Sequence, residues 1–447
     1  MQAETLLPIL MFVSLFILIL LGYPVAFTLA GTAILFGYLG YLYEIFYWSD
    51  FGFIPAKVFA IVSNFTLMAV PLFVCMGITL EKSGIAEELL HCMEALFARI
   101  KGGLMMSVVI AGALLAASTG IIGATVVTMG ALSLPTLLER GYNKPLACGT
   151  IATAGTLGQI IPPSIVLVLL GDMMHVDVGS LFAGAIVPGV LLVSLYLAYI
   201  AIRAYSRDAP SHFCMRPDDC SPLNLSPSLI CSSLLPPTLL VLLVLGTILC
   251  GIASPTEAAA CGAVGALVLA ISRRKLTRQT LRDILERTTS ITTMVFTLLV
   301  GAQFFSVVFR GLYGDELIAD FISDLELNKY LLLFIMLSML FLLGFFLDFI
   351  EICFIVVPIM APLMKSLGFD PVWLAVLIAI NLQTSFLTPP FGFALFYLKG
   401  VAPTEVNTID IYKGVIPFIA VQLLALGVLA SFPGLVLWLP ELVFGRR

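Results

Sequence analysis

The sequence predicts an all-α, polytopic membrane protein built from inverted repeats, with two re-entrant hairpins and two broken helices. Of its 447 residues, 60% are hydrophobic and only 11% are charged, whereas soluble domains carry about 25% charged residues. Apolar stretches long enough to cross a bilayer, which takes about 20 residues, recur along the whole chain. Two Pro-Pro pairs interrupt such stretches at matching places.

The Pro-Pro pairs indicate an internal duplication. Pro162-Pro163 and Pro389-Pro390 are 227 residues apart, and the same shift places Pro135 on Pro362. Proline removes a backbone donor and clashes with the preceding turn, so each pair breaks its helix. In lipid a broken helix is tolerated only where protein buries it or a wet cavity adjoins it. Paired broken helices in two repeats point to the central site of a secondary transporter.

The remaining elements of each repeat are a hairpin and an amphipathic arm. The apolar runs 103–138 and 329–364 are too long for one span of about 20 residues, and glycine or a charge interrupts each. They predict re-entrant hairpins. Segment 82–101 has apolar residues at helical spacing with charges opposite, which predicts a surface helix, and 311–328 resembles it.

Basic residues indicate how the repeats are oriented. Arg203, Arg207 and Arg216 form one cluster, and a second occupies 273–287. Two apolar spans separate the clusters, so both lie on one side, and the positive-inside rule assigns that side to the cytoplasm. One repeat ends there and the other begins there, which predicts inverted repeats.

Polar side chains without charge surround both breaks. Hydroxyls and amides supply neutral oxygens for a hard cation, while broken helices expose carbonyls and N-termini that attract ions. The alternative is that they hold neighbouring helices together. They are Thr153, Thr156, Gln159 and Ser164 around the first break, and Asn381, Gln383, Thr384, Ser385 and Thr388 around the second.

Segment 116–135, one helix before the first break, is rich in small residues. It suits a hairpin tip with exposed backbone, although close helix packing is an alternative. The residues that suggest a tip are Thr119, Gly120, Gly123, Thr125 and Thr128.

Two acidic positions within apolar segments have different interpretations. Asp348 and Glu351 are three apart, which predicts one helical face, and ionisable groups at membrane depth are usually functional. We therefore expect Asp348 at the second hairpin tip to contribute to the site, the alternative being a helix end at the interface. Glu257 follows Ser254 by three residues with Pro255 between them, which predicts a capping box.

Other classes of function find no support in the residues. The sequence contains no nucleophile–base constellation, phosphate loop or metal-ligand cluster, so we expect neither an enzyme nor a cofactor. The net charge of −5 is thinly spread and suggests no nucleic-acid partner, and nine Cys include no CxxC pair.

Long strings of the chain resemble the large membrane subunit of TRAP (tripartite ATP-independent periplasmic) transporters, the DctM family. They are RGYNKPLACGTIATAGTLGQIIPPSIVLVLLGDMMHVDVGSLFAGAIVPG, PTEAAACGAVGAL and LDFIEICFIVVPIMAPLMKSLGFDPVWLAVLIAINLQTSFLTPPFGFALFYLKGVAP. The resemblance covers essentially the whole chain. It implies a multi-pass protein of the bacterial inner membrane that takes up an organic acid with Na⁺ by an elevator mechanism. A periplasmic solute-binding protein delivers the acid, and a small four-helix membrane subunit extends the scaffold.

The resemblance also implies a division of the chain and a site. The units are scaffold and first arm, transport-domain repeat 1, a loop with scaffold helices and second arm, transport-domain repeat 2, and a tail. Their predicted bounds are 1–100, 101–205, 206–328, 329–435 and 436–447.

In this family Na⁺ lies where hairpin tips meet the broken helices. The matching residues are Ser118, Thr119, Gly120, Gly123, Thr125, Thr128, Gly155, Thr156, Gly158, Pro162, Pro163, Ser164, Gly344, Asp348, Asn381, Thr384, Ser385, Thr388, Pro389, Pro390 and Gly392. The first tip, STGIIGAT, differs from the Ser-Gly-Ser tip of sialic-acid and C4-dicarboxylate members. It looks more like the branch linked to 2-oxo acids and chloroaromatic acids.

Three other functions are weighed beside this one. A sodium- or proton-coupled carboxylate carrier that works alone would share most of these features. A proton-conducting respiratory subunit calls for a series of Lys, Glu or His side chains in mid-membrane, which the sequence lacks. A channel is the third.

Overall fold

The computed structural model describes residues 2–97, 100–119, 122–206, 227–324 and 327–445. Within these ranges the chain forms 21 α-helices and no β-strand, which confirms the predicted all-α class. The helices are α1 (Gln2–Leu20), α2 (Val25–Leu42), α3 (Phe53–Val62), α4 (Ala69–Lys82), α5 (Ile85–Phe97), α6 (Gly103–Thr119), α7 (Ile122–Glu139), α8 (Lys144–Thr156), α9 (Ile165–Met173), α10 (Val178–Ser206), α11 (Pro227–Leu249), α12 (Pro255–Ser272), α13 (Arg278–Gly311), α14 (Gly314–Asp324), α15 (Lys329–Leu343), α16 (Phe349–Ile355), α17 (Val357–Ser366), α18 (Pro371–Leu387), α19 (Phe393–Val401), α20 (Thr408–Ser431) and α21 (Gly434–Phe444).

Many of these helices are long and apolar enough to cross a membrane. Among the described residues six single helices meet that condition, and eight spans result if two sharply bent pairs are each counted as one. One bent pair is α16 and α17, which meet at 56°. The chain is therefore a multi-pass membrane protein in which breaks divide several apolar stretches into shorter helices.

The duplication extends over nearly the whole chain. A shift of 227 residues moves α7 onto 349–366, the interval that α16 and α17 cover together. The same shift moves Lys144, the first residue of α8, onto Pro371, the first of α18. It also brings α1, α2, α5, α6, α9 and α10 onto α11, α12, α14, α15, α19 and α20 within a few residues. The sequence indicates the repeat only around the breaks, hairpins and arms.

The predicted hairpins, arms and broken helices are present. Helices α6 and α7 form the first hairpin, and α15 with α16 and α17 forms the second. Helices α5 and α14 are the arms. The broken helices are α8–α9 and α18–α19, and the Pro162–Pro163 and Pro389–Pro390 peptide bonds within the breaks are both cis.

The two repeats interlock around the breaks. Helix α9 packs against α16 and α17 of the other repeat's hairpin, and reciprocally α19 packs against α7. Reciprocal contacts of this kind are those of a two-fold arrangement. A separate group of helices, α2, α4, α12 and α13, packs together beside them.

The predicted tail differs from expectation, whereas part of the predicted loop is not described. The segment 434–444 is helical and packs along α10, so most of the predicted tail is an ordered helix. Arg207 and Arg216 of the first basic cluster lie outside the described residues.

The capping box at the start of α12 is confirmed. The Ser254 backbone N–H donates to Glu257 Oε2 at 2.8 Å, and the Glu257 N–H donates to Ser254 Oγ at 3.3 Å. Each side chain satisfies a backbone donor that the first helical turn leaves without a partner. Glu257 therefore has the structural role that its spacing predicts.

Candidate functional site

The first break opens a gap of several residues between two buried half-helices. Helix α8 ends at Thr156, a 3₁₀ turn covers Leu157–Gln159, and α9 begins at Ile165. Ser164 precedes α9 in an extended conformation, and its Oγ donates to the Gln159 carbonyl at 2.9 Å. Gly158 lies in the turn. The Pro-Pro pair thus follows a helix end that has already unwound.

The polar side chains at this break are fully buried and poorly satisfied. Thr153, Thr156, Gln159 and Ser164 are all 0% exposed. Thr156 Oγ1 donates to the Thr153 carbonyl at 2.8 Å, but Thr153 Oγ1 and both amide atoms of Gln159 have no protein hydrogen-bond partner among the described residues. A buried polar atom without a partner costs about 1–3 kcal/mol. These atoms therefore mark the break as a place with unused capacity for a ligand.

The second break has a tighter turn. Helix α18 ends at Leu387, and the Gly392 N–H donates to the Thr388 carbonyl at 3.0 Å. A Cβ on Gly392 would lie 2.5 Å from the Phe386 carbonyl oxygen, so the turn requires glycine. Thr388 Oγ1 donates to the Thr384 carbonyl at 2.7 Å. Because the Thr388 hydroxyl proton is already donated to this carbonyl, the hydroxyl offers a ligand only its oxygen lone pairs.

Two predicted site residues of α18 attach it to the second hairpin. Asn381 Nδ2 donates to the Leu337 carbonyl at 2.8 Å, and Ser385 Oγ donates to the Phe341 carbonyl at 2.6 Å. A Cβ on Gly344 would lie 2.5 Å from Ser385 Oγ. For Asn381 and Ser385 the contacts thus match the alternative interpretation, in which polar side chains hold helices together.

The first hairpin lies equally close to the first broken helix. A Cβ on Gly155 of α8 would lie 2.3 Å from Val126 Cγ2 and 3.1 Å from Val126 Cα on α7. A Cβ on Gly123 would lie 3.0 Å from the Tyr397 ring of α19. Helix α7 therefore contacts both broken helices.

The tip of this hairpin is only partly described. Thr125 is buried and Thr128 half-buried. Ser118 and Thr119 end α6, and Gly120 lies outside the described residues.

Asp348 lies at the second hairpin tip as predicted, but its relation to Glu351 differs from the prediction. Asp348 precedes α16 as its N-cap, and its backbone N–H donates to Glu351 Oε2 at 2.9 Å. The expectation that both carboxylates share one helical face is wrong, because Asp348 is not in the helix. The sequence signal that reveals this arrangement is the capping-box spacing, the same as in Ser254–Glu257.

The two breaks meet at one pair of equivalent residues. Gln383 Nε2 donates to Thr156 Oγ1 at 3.4 Å, and the shift of 227 that relates the repeats maps Thr156 onto Gln383. Gln383 Oε1 has no protein partner among the described residues. The sequence places Gln159 and Gln383 near the breaks, but the family resemblance does not include them among the site residues. The repeat shift itself was the signal that could have selected Gln383.

This arrangement suits ions bound by neutral oxygens. Buried hydroxyls and amides lie at and near the ends of α8 and α18, and Asp348 is the carboxylate that precedes α16 in the second hairpin. In the described part of the chain, no group of three or more His, Cys, Asp or Glu side chains is placed to hold a metal ion. Oxygen ligands of this kind favour hard cations such as Na⁺.

Known proteins resemble this chain over most of its length. It is 29% identical over 388 residues to the C4-dicarboxylate TRAP transporter large permease protein DctM of Pseudomonas aeruginosa, covering 86% of this chain and 88% of that protein. It is 28% identical over 431 residues to the sialic acid TRAP transporter large permease protein SiaM of Vibrio cholerae, covering 96% and 97%. The ectoine/5-hydroxyectoine TRAP transporter large permease protein UehC of Ruegeria pomeroyi is 29% identical over 437 residues, covering 97% and 99%.

Two solved structures share the fold. The Alcanivorax borkumensis YdaH transporter has a TM-score of 0.62 at 16% identity, covering 87% of this chain and 89% of that one. Neisseria gonorrhoeae MtrF has a TM-score of 0.58 at 12% identity, covering 86% and 83%. A family model described as the DctM component of the tripartite ATP-independent periplasmic transporter matches residues 12–435. The chain therefore belongs to the family of TRAP transporter large permease subunits.

Proposed function

We propose that this chain is the permease subunit of a sodium-coupled TRAP transporter of the bacterial inner membrane, which imports an organic acid by an elevator mechanism. The observation that carries the proposal is the convergence of two helix breaks with buried, unsatisfied polar side chains at their crossing. The proposed site comprises the breaks with the two hairpin tips. No cofactor other than the coupling ion takes part.

Sodium fits this site better than a proton does. Gln159 and Thr153 offer neutral oxygens without protein partners, and such groups bind a cation without changing protonation state. Asp348 and Glu351 are the carboxylates at the second tip, and Glu351 Oε2 already accepts a hydrogen bond from the Asp348 N–H. A proton relay through the membrane instead uses a chain of ionisable groups.

An elevator movement is supported by unequal packing in the two repeats. In repeat 1, arm α5 packs along α6, and the gap that they leave beside α11 is only about 10 Å³. In repeat 2, the equivalent helices α14, α15 and α1 border an apolar cavity of about 510 Å³. We propose that α2, α4, α12 and α13 belong to a static scaffold, while hairpins and broken helices move and close this cavity.

Contacts between basic and acidic side chains support the orientation. Arg287 Nη1 lies 3.1 Å from Glu81 Oε1, and Arg273 pairs with Glu88. These pairs bring the end of α4 and the arm α5 together with the basic 273–287 segment. By the positive-inside rule this face is cytoplasmic. The binding protein then docks on the opposite face, and arms such as α14 brace a scaffold that the small four-helix subunit extends.

To test the proposal, the chain is reconstituted into proteoliposomes together with its small membrane subunit and its binding protein. Uptake of a labelled panel is measured with and without an inward sodium gradient, and the panel contains a C4-dicarboxylate, sialic acid and a 2-oxo acid. We expect uptake of one class only when sodium and the binding protein are present. A proton gradient that drives full uptake in sodium-free buffer would contradict sodium coupling.

The tripartite assembly has its own control. The chain is reconstituted alone, and we expect no saturable uptake at micromolar organic acid. Saturable micromolar uptake by the chain alone would replace the proposal with a carrier that needs no partners. Co-purification of a small multi-span protein with the tagged chain is the expected companion result.

A further inference from the structure

We propose that Gln383 is a positioning residue that couples the two helix breaks, so that an ion bound at one break favours binding at the other. The inference rests on the proposed function, because it concerns the same sodium sites. Its observations are the crossing contact, the network around that contact and the complete burial of both partners.

The crossing contact lies at the centre of the duplication. Thr156 and Gln383 are equivalent residues of the two repeats, and a residue touches its own equivalent only near the two-fold axis. Both are 0% exposed. The separation of 3.4 Å between Gln383 Nε2 and Thr156 Oγ1 is long for a hydrogen bond, but the burial of both side chains shields it from bulk solvent.

The contact continues into the end of α8. Thr156 Oγ1 accepts from Gln383 and donates its own proton to the Thr153 carbonyl at 2.8 Å. That carbonyl belongs to the last turn before the first break. Gln159 ends the 3₁₀ turn that directly follows Thr156, and this turn packs against α18. A cation that draws in the Gln159 or Thr153 oxygen therefore changes the position of Thr156.

The contact also continues into the second hairpin. Two residues on either side of Gln383, at Asn381 and Ser385, the side chains of α18 donate to the Leu337 and Phe341 carbonyls of α15 at 2.8 and 2.6 Å. A shift of α18 at Gln383 is therefore passed to the hairpin that carries Asp348. Chained hydrogen bonds in a dry interior reinforce one another, so the link transmits a movement in either direction.

Unused capacity at the crossing allows the link to change. Gln383 Oε1, Gln159 and Thr153 Oγ1 have no protein partner among the described residues. The Gln383 amide can thus exchange a long bond for a better one when an ion reorganises its neighbours. A buried pair with every polar atom satisfied would instead be locked.

Gln422 provides a matched control. It is a fully buried glutamine on α20, its Nε2 donates to Tyr196 Oη at 2.7 Å, and its Oε1 has no protein partner in the described part of the chain. It differs from Gln383 in that its hydrogen bond is to Tyr196 on α10 and not to a broken helix. Replacing each by methionine removes one buried amide and keeps an unbranched side chain.

The experiment measures sodium binding to the purified wild-type chain and to the variants Gln383→Met and Gln422→Met. Thermal stabilisation is recorded as NaCl replaces KCl at constant ionic strength, which requires no substrate. We expect a Hill coefficient above one for the wild type and for Gln422→Met. For Gln383→Met we expect a coefficient near one and half-stabilisation at about fivefold more sodium, the effect of losing one buried hydrogen bond.

Each outcome decides one claim. A wild-type Hill coefficient of one, or unchanged cooperativity in Gln383→Met, overturns the coupling but leaves sodium binding intact. No stabilisation of the wild type by sodium overturns the proposed function itself. If Gln383→Met does not fold, Gln383→Leu removes the same amide and must lose cooperativity while Gln422→Leu keeps it; any other pattern also overturns the coupling.

Discussion

The contact between Gly155 and Val126 allows a direct test of whether the first hairpin belongs to the ion site. In Gly155→Ala the new methyl group would lie 2.3 Å from Val126 Cγ2 and 3.1 Å from Val126 Cα and N. Non-bonded carbon atoms normally lie about 3.5–4.0 Å apart. The new methyl group would therefore be too close by more than about 1 Å to Val126 Cγ2 and by about 0.4 Å to Val126 Cα. Valine in a helix strongly prefers one χ1 rotamer. Helix α7 must therefore move away from the broken helix.

The size of the effect follows from packing energies. Overpacking a buried contact costs about 1–3 kcal/mol. If this strain falls on the sodium-bound state, each 1.4 kcal/mol weakens binding tenfold. We expect half-maximal sodium stabilisation of Gly155→Ala at about 5- to 140-fold higher concentration, together with lower sodium-driven uptake. Adding Val126→Ala removes the 2.3 Å contact and should restore part of the affinity.

The control is a helical glycine that has space for a methyl group. A Cβ on Gly427 of α20 meets nothing within 4 Å, and Gly to Ala in a helix interior stabilises by about 0.5–1 kcal/mol. Gly427→Ala should therefore keep its sodium response and melt slightly higher. If Gly155→Ala folds and responds to sodium as the wild type does, the hairpin contact is not part of the ion site.

Three further substitutions test other parts of the structure. Asp348→Asn keeps a good N-cap but loses the charge, so it should weaken the sodium response without lowering the melting temperature. If this variant responds to sodium as the wild type does, Asp348 has a purely structural role. Glu257→Ala should lower the melting temperature and leave uptake intact, because it removes the acceptor that caps the Ser254 N–H; a large loss of uptake with normal stability would refute this role. Met339→Trp fills the apolar cavity and should slow uptake while sodium stabilisation persists, whereas Leu331→Trp, at a position 47% exposed on the same helix, should have little effect; equal uptake by both variants would count against closure of the cavity.

What the sequence by itself determined was local chemistry and its repetition. Proline removes a backbone donor in a helix, and the matching positions of Pro162-Pro163 and Pro389-Pro390 in the two repeats predicted both breaks. A Pro-Pro pair alone does not decide a break, because Pro236-Pro237 lies inside the continuous helix α11. The repeat shift gave the matching arms and hairpins. The Ser254–Glu257 cap needed only the spacing of three residues, since both partners belong to one turn.

What only the tertiary structure decided was which buried groups face one another. Thr156 and Gln383 meet because two helices cross at the axis of the duplication, and Gly155 approaches Val126 because the hairpin packs without an intervening side chain. For Asp348 the capping-box spacing was present in the sequence, but the structure showed that the helix begins after Asp348 and not before it. Such contacts depend on the rotation and separation of whole helices, and the residues along a single helix do not encode these independently of the helices that pack around them.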